Sequence, residues 1–199
     1  MNWIRPPGPV AGGLTIGLLG GTFDPAHDGH LYISLVALKR LKLDYVWWLV
    51  SPGNPLKGAP APFEKRLAAA RALARHPRLI VTDIEQRLGT RFTLDTVTAL
   101  QRRFPQVTFV WLMGSDNLKD FHRWRHWRQL AARIALVVVQ RPGSIMAAVN
   151  AAPVRQFGKT RALKAPPALM VLDGARNAQS ATQIRALGTS APTMLNSSR

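Results

Sequence analysis

Short, almost unbroken apolar runs alternate along this chain with longer stretches whose apolar residues recur at helical spacing. Residues 14–23, 45–50, 78–83, 107–113, 134–139 and 169–172 read as strands. Runs as continuous as Tyr45–Val50 and the VTFVWLM segment at 107–113 suit strands covered on both faces rather than half-exposed ones. Residues 31–41, 63–75, 93–104, 118–130 and 181–187 read as helices; Gly29 and His30 stand at the start of the first, and Pro77 stops the second. Residues 51–62, rich in proline and glycine, read as a loop.

Strands that alternate with helices imply right-handed crossovers and a parallel sheet, so the fold class is α/β, a Rossmann-like doubly wound sheet. Sheets of this kind take ligands beyond the carboxyl ends of their strands, where the strand order reverses. The glycine-rich exit of the first strand is therefore the place to look for a site. The pattern places one domain over residues 14–188, with a flexible leader at 1–13 and a disordered tail at 189–199. No internal repeat is evident.

Composition narrows the picture. A chain of 199 residues, 47% hydrophobic, suffices for one domain with a substantial core. No apolar run reaches the ~18 residues a membrane span needs, and the first residues lack the apolar stretch of a signal peptide. The absence of cysteine excludes disulfides, thiolate metal sites and a cysteine nucleophile, and is compatible with a cytoplasmic location. The balance of 27 Lys+Arg against 10 Asp+Glu, a formal +17, raises the question of nucleic acid. The basic residues are mostly arginines scattered over helices, so they read as surface charge first, with specific nucleic-acid binding well behind.

The segment from Gly20 to His30, GGTFDPAHDGH, carries the most chemistry. Gly20 and Gly21 allow a tight turn and close approach of a ligand at the strand end, and Pro25 stiffens the loop. Gly29 leaves backbone N–H groups open where the following helix starts, a ready site for an anion. His27 and His30 are three apart, so a helix that starts between them lets both rings address one ligand and donate to phosphate oxygens. A metal reading lacks a third ligand beyond Asp24 or Asp28. Toward the C-terminus, Ser180 or Thr182 could cap the final helix, with Arg185 a turn later.

The eleven-residue string matches without a gap the G-T-F-D-P-x-H-x-G-H signature of the nucleotidyltransferase superfamily, which this chain resembles. The segment Gln179-Ser180-Ala181-Thr182-Gln183-Ile184-Arg185 is similar to the superfamily's I-S-[SA]-T-x-I-R segment, which holds ATP phosphates; Gln179 stands where an aliphatic residue is usual. Within the superfamily the chain most resembles the bacterial nicotinate-mononucleotide adenylyltransferases, over about residues 14–187. Three further segments carry that likeness: 54–57, NPLK; 91–96, RFTLDT; and 114–117, GSDN, followed by Phe121, Trp124 and Trp127.

The resemblance implies adenylyl transfer from ATP to nicotinate mononucleotide, with Mg²⁺ arriving on ATP and no dedicated metal site. It implies catalytic roles for His27, His30, Thr22 and Arg185. ATP would be bound by Gly20, Gly21, Phe23, Gly29, Ser180, Thr182, Gly114 and Asp116. Lys57 would reach the mononucleotide phosphate, Phe92 and Thr93 would line the nicotinate carboxylate pocket through backbone N–H groups, Trp124 would stack on the pyridine, and Arg141 would complete the site. The alternatives are a sister enzyme with a phosphopantetheine or cytidylyl acceptor, and a non-catalytic nucleic-acid binder. From the residues alone, Trp47, Trp48 and Trp111 read as core, Trp127 equally as a helix's apolar face, and His76, His122 and His126 as surface.

Overall fold

The computed structural model describes residues 4–53, 60–140, 152–160, 162–163 and 165–173. Six strands form one sheet: β1 (Thr15–Gly21), β2 (Tyr45–Val50), β3 (Leu79–Thr82), β4 (Thr108–Gly114), β5 (Ala135–Val139) and β6 (Leu169–Leu172). Every pairing is parallel and the order is β3-β2-β1-β4-β5-β6. The chain therefore winds outward from β1 to one edge, returns to β4 on β1's other side, and winds to the opposite edge. That reversal between β1 and β4 defines the crevice of a doubly wound sheet.

The alternation of side chains along each strand feeds two cores. Ile16, Leu18, Trp47, Trp111 and Leu136 face α3 (Ile84–Leu88), α4 (Thr93–Arg103) and α6 (Trp127–Arg133), whose Ile84, Val97, Leu100 and Leu130 meet them. Leu19, Val46, Trp48, Val110 and Val137 face α1 (Asp28–Arg40) and α2 (Phe63–Leu73) through Ile33, Ala37, Leu38, Leu67 and Ala70. Both faces are covered, which is why the strands read as continuous apolar runs rather than alternating ones. Trp47, Trp48 and Trp111 are buried, as their place in strand patterns implied.

Three local departures from the sequence reading have physical causes. The helix expected over residues 118–130 is broken into α5 (Ser115–Asp120), a 3₁₀ turn (Phe121–Arg123) and α6, because His126 takes a left-handed conformation with φ 54°. Trp124 and Trp127 consequently sit on different elements rather than one helix face. Two helices were not expected: α3, five residues long and closed by Gly89 at φ 64°, and α7 (Ala152–Phe157). One or two turns are too short to show a 3.6-residue period.

Residues 4–13, expected as a flexible leader, lack regular structure yet are fastened to the domain. Ile4 and Val10 pack against the core. Arg87 Nη1 donates to the Arg5 carbonyl at 2.7 Å, Gln106 Nε2 to the Val10 carbonyl at 2.9 Å, and the Gly13 amide to the Gln106 carbonyl at 3.2 Å. The final helix at 181–187 and the tail at 189–199 lie outside the described residues. Among the described residues no helix is long and apolar enough to cross a membrane.

Candidate active site

The site is built where β1 ends and α1 begins. Gly20 and Gly21 belong to the strand itself, paired with Leu49 and Val50, so the turn comes after them, at Thr22. Gly20 is required by packing: a Cβ there would lie 2.5 Å from Cη2 of Trp111. The Trp111 ring occupies the space a side chain would take there. Phe23 then adopts φ 50°, which costs a bulky residue roughly 1–3 kcal/mol. Burial of its ring offsets this, with the centroid 5.2 Å from that of Trp48 and 4.6 Å from that of His30.

The helix starts between the two histidines, with His27 as its N-cap and His30 in its first turn. Each imidazole accepts a backbone hydrogen bond through Nδ1: His27 from the Gly29 amide at 3.1 Å, His30 from the His27 amide at 3.3 Å. This is a capping box made of two histidines, and it satisfies two of the helix's orphan donors reciprocally. The Gly29 N–H, expected to stand open for an anion, is therefore taken by His27. The exchange fixes the chemistry of both rings. A nitrogen that accepts carries no proton, so in each neutral ring the proton sits on Nε2, which becomes a donor. The ring centroids are 4.0 Å apart, so the two imidazoles lie against each other. Beneath them Ser34 Oγ donates to the His30 carbonyl and accepts from Trp48 Nε1, both at 2.8 Å, which ties the first turn to the core.

Across the crevice, β4 ends at Gly114. An added Cβ there would meet the Asp116 carboxylate first and come 3.3 Å from Ile33 Cδ1 of α1. Ser115 behind it is buried and Asp116 is exposed at the start of α5. The expected ATP residues Gly21, Phe23, Gly114 and Asp116 are thus brought to one crevice, with Thr22, His27 and His30 on its β1 side.

Of the expected acceptor residues, Phe92 and Thr93 stand at the start of α4. Phe92 is the N-cap, in extended backbone with no side-chain cap, so the first amides of α4, Thr93 among them, keep no intrahelical acceptor. The Arg125 guanidinium lies 4.4 Å above the Phe92 ring. Trp124, the residue before Arg125 in the chain, is half-buried and edge-on to Trp111 at 6.0 Å and 85°. Trp127 is core, against Phe121 and Phe157. Exposed His122 and His126 do not share a helix face, and His76 is half-buried, its Nδ1 accepting from the Arg78 amide.

Support for this corner comes from residues the sequence reading passed over. Glu85, buried on α3, accepts from Thr96 Oγ1 at 3.2 Å, and Thr96 Oγ1 lies 2.8 Å from Thr90 Oγ1. Burial raises the Glu85 carboxyl from its ordinary 4.5 to about 7, with the Thr96 bond pulling the other way. Arg125 and the buried Arg66 of α2, which reaches the Thr22 carbonyl, were also passed over. An arginine or glutamate in an amphipathic helix carries no spacing signal of its own. Lys57, Arg141, Gln179, Ser180, Thr182 and Arg185 lie outside the described residues.

The cytidylyltransferase-like family matches residues 18–187, most of the chain. A probable nicotinate-nucleotide adenylyltransferase from Cereibacter sphaeroides is 52% identical over 182 residues, covering 88% of this chain and 98% of the relative. One from Parvibaculum lavamentivorans is 49% identical over 187 residues, covering 88% and 93%. Among solved structures, Plasmodium falciparum nicotinic acid mononucleotide adenylyltransferase complexed with NaAD superposes with a TM-score of 0.65 at 17% identity, over 87% of this chain and 83% of that one. At that identity the likeness speaks for the fold. The chain belongs to the cytidylyltransferase-like nucleotidyltransferases and, within them, to the nicotinate-nucleotide adenylyltransferase family.

Proposed function

We infer that this chain transfers the adenylyl group of ATP to nicotinate mononucleotide, giving nicotinate adenine dinucleotide and pyrophosphate, a reaction of NAD biosynthesis that would run in the cytoplasm. The relatives' names point to this reaction, and the doubled histidine cap is the observation that carries it to particular residues. An oxygen of the mononucleotide phosphate attacks the α-phosphorus, the bond to the bridging oxygen of the β-phosphate breaks, and pyrophosphate leaves with that electron pair. The attacking phosphate is already ionised at neutral pH, so no general base is needed. Catalysis is alignment together with stabilisation of negative charge on the transferring group and the leaving pyrophosphate.

In this reading Nε2–H of His27 and of His30 donate to those oxygens, and Thr22 steers the incoming phosphate. Donors held in place beforehand need no reorganisation as charge develops. Arg185, Ser180 and Thr182 would complete the phosphate cradle, and Lys57 and Arg141 the mononucleotide side. The bare start of α4 at Phe92 and Thr93 offers N–H donors to the nicotinate carboxylate, and Trp124 offers a ring face to the pyridine. Among the described residues no three His, Asp or Glu side chains converge as a metal cage. Mg²⁺ would enter as part of the ATP complex, held by phosphate oxygens and water.

The test is pyrophosphate release from ATP with a panel of acceptors: nicotinate mononucleotide, its nicotinamide counterpart, phosphopantetheine and a cytidylyl-transfer pair. Release with nicotinate mononucleotide foremost is expected. Release only with another acceptor would overturn the substrate while leaving nucleotidyl transfer standing.

A further inference from the structure

Arg66 is 2% exposed, on the second turn of α2 between positions that face the core. Its guanidinium donates to four backbone carbonyls. Nε reaches Ala61 at 2.8 Å, Nη1 reaches Thr22 at 2.5 Å and Ser51 at 2.9 Å, and Nη2 reaches Pro52 at 3.1 Å. Among the described residues no carboxylate pairs with it. A buried cation held by carbonyls and by the Phe63 ring, whose centroid is 5.4 Å from its Cζ, costs desolvation that an apolar side chain would not, so a core role alone does not account for it.

What the four carbonyls have in common is position. Thr22 and Ser51 are the first residues beyond β1 and β2, whose ladder closes with the Ser51 amide on the Gly21 carbonyl at 2.9 Å. Beyond that bond the parallel strands have no ladder left to hold them together. Arg66 continues the pairing, joining the two exits and the entry to α2 at Ala61. Asp24 completes the closure, since its Oδ2 accepts from the Ala61 amide at 2.9 Å. Arginine's rigid planar fork suits this task and a flexible ammonium does not.

We propose that Arg66 is a positioning residue for adenylyl transfer: by fixing the Thr22 and Ser51 carbonyls it sets the placement of the loop that leads into the His27–His30 cap. It touches no substrate, and it acts through the backbone of residues 22–27. The proposal rests on the functional reading above only for the reaction used to detect it.

The experiment compares wild type with Arg66→Lys in steady-state turnover, well below either protein's unfolding midpoint, and in amide hydrogen exchange. Arg66→Lys is expected to lower kcat ~10- to 100-fold with KM for ATP changed less than about threefold, because misplacing aligned groups costs turnover rather than binding. Exchange should rise in peptides covering 20–25 and 50–53 and stay unchanged in β5. A variant that is less stable yet keeps wild-type kcat, or that shows no local rise in exchange, overturns the proposal. Should Arg66→Lys fail to fold, Arg66→Gln is assayed with added guanidinium ion: recovery of kcat supports the positioning role and no recovery overturns it. A wild type that released no pyrophosphate would sink the functional reading, while hydrogen exchange would still report whether Arg66 holds the two strand exits.

Discussion

The two sides of the crevice are built in opposite ways. On the β1 side the groups proposed to address phosphate are side chains, and backbone amides hold them: Nδ1 of His27 and of His30 each accept from an amide. On the α4 side the groups offered are backbone amides, and side chains hold them: Glu85 and Thr96 brace the first turn from below, and Arg125 lies over Phe92. Charge that moves during a reaction is best met by imidazoles held as donors. A substrate carboxylate that only needs recognition is met well by a bare helix start. The comparison teaches where mutation should register: on the β1 side in turnover, on the α4 side in substrate choice and stability.

The largest effect is expected at the cap. His30→Ala should lower kcat ~10²–10³-fold while ATP binding and folding persist, the loss typical of one donor aimed at developing charge. His27 separates cap from catalysis. Asparagine can accept from the Gly29 amide as a good N-cap, so His27→Asn should keep stability near wild type and still lose turnover. His27→Ala should lose turnover and about 1 kcal/mol of stability as well. Steady-state kinetics and urea unfolding of the three variants decide it. If His27→Asn turned over like wild type, the ring would serve only as a cap.

Smaller effects are expected on the acceptor side. Wild type should prefer nicotinate over nicotinamide mononucleotide, because an amide would turn N–H donors toward the donors of Phe92 and Thr93 and leave buried groups unpaired. Trp124→Ala should weaken both mononucleotides about tenfold in KM and leave their ratio nearly unchanged, since stacking is worth ~1–2 kcal/mol and serves either ring. The readout is kcat/KM for each mononucleotide in both proteins. A ratio that collapses in Trp124→Ala would move discrimination from the helix start to the indole.

The same contrast explains what could be read without coordinates. The β1 side was legible because its chemistry is compressed into eleven consecutive residues, with Gly29 and His30 standing where the helix begins. The strands were legible because a sheet covered on both faces needs unbroken apolar runs. The reciprocal cap was not legible, since spacing does not say which ring nitrogen faces the backbone. Arg66, Glu85 and Arg125 were missed for a related reason: each acts through a contact distant in sequence, Arg66 with Thr22 across 44 positions and Glu85 with Thr96 across 11. The break at His126 depends on a left-handed turn that no glycine or proline marks.

The smallest effect on turnover should come from Glu85, where the comparison can be tested through stability alone. Its folded carboxyl titrates near 7 against an ordinary 4.5, raised mainly by burial. Between those values the folded protein holds a proton that the unfolded chain has released. Stability from this group is therefore fully present below about 4.5 and is lost as pH rises through about 7. The loss amounts to about 3–4 kcal/mol at most, because a tenfold change in proton affinity is worth ~1.4 kcal/mol. Glu85→Gln keeps the shape and an acceptor for Thr96 but has nothing to ionise. Urea unfolding at about pH 5 and about pH 8 should show wild type losing stability relative to Glu85→Gln across the interval, while the other carboxylates cancel in the difference. The variant's kcat should stay within about twofold of wild type, because the amide still braces the turn and no donor on the β1 side has moved. A difference in stability that did not change with pH would mean that Glu85 is ionised in the folded protein throughout. A large fall in kcat would erase the division of labour between the two sides.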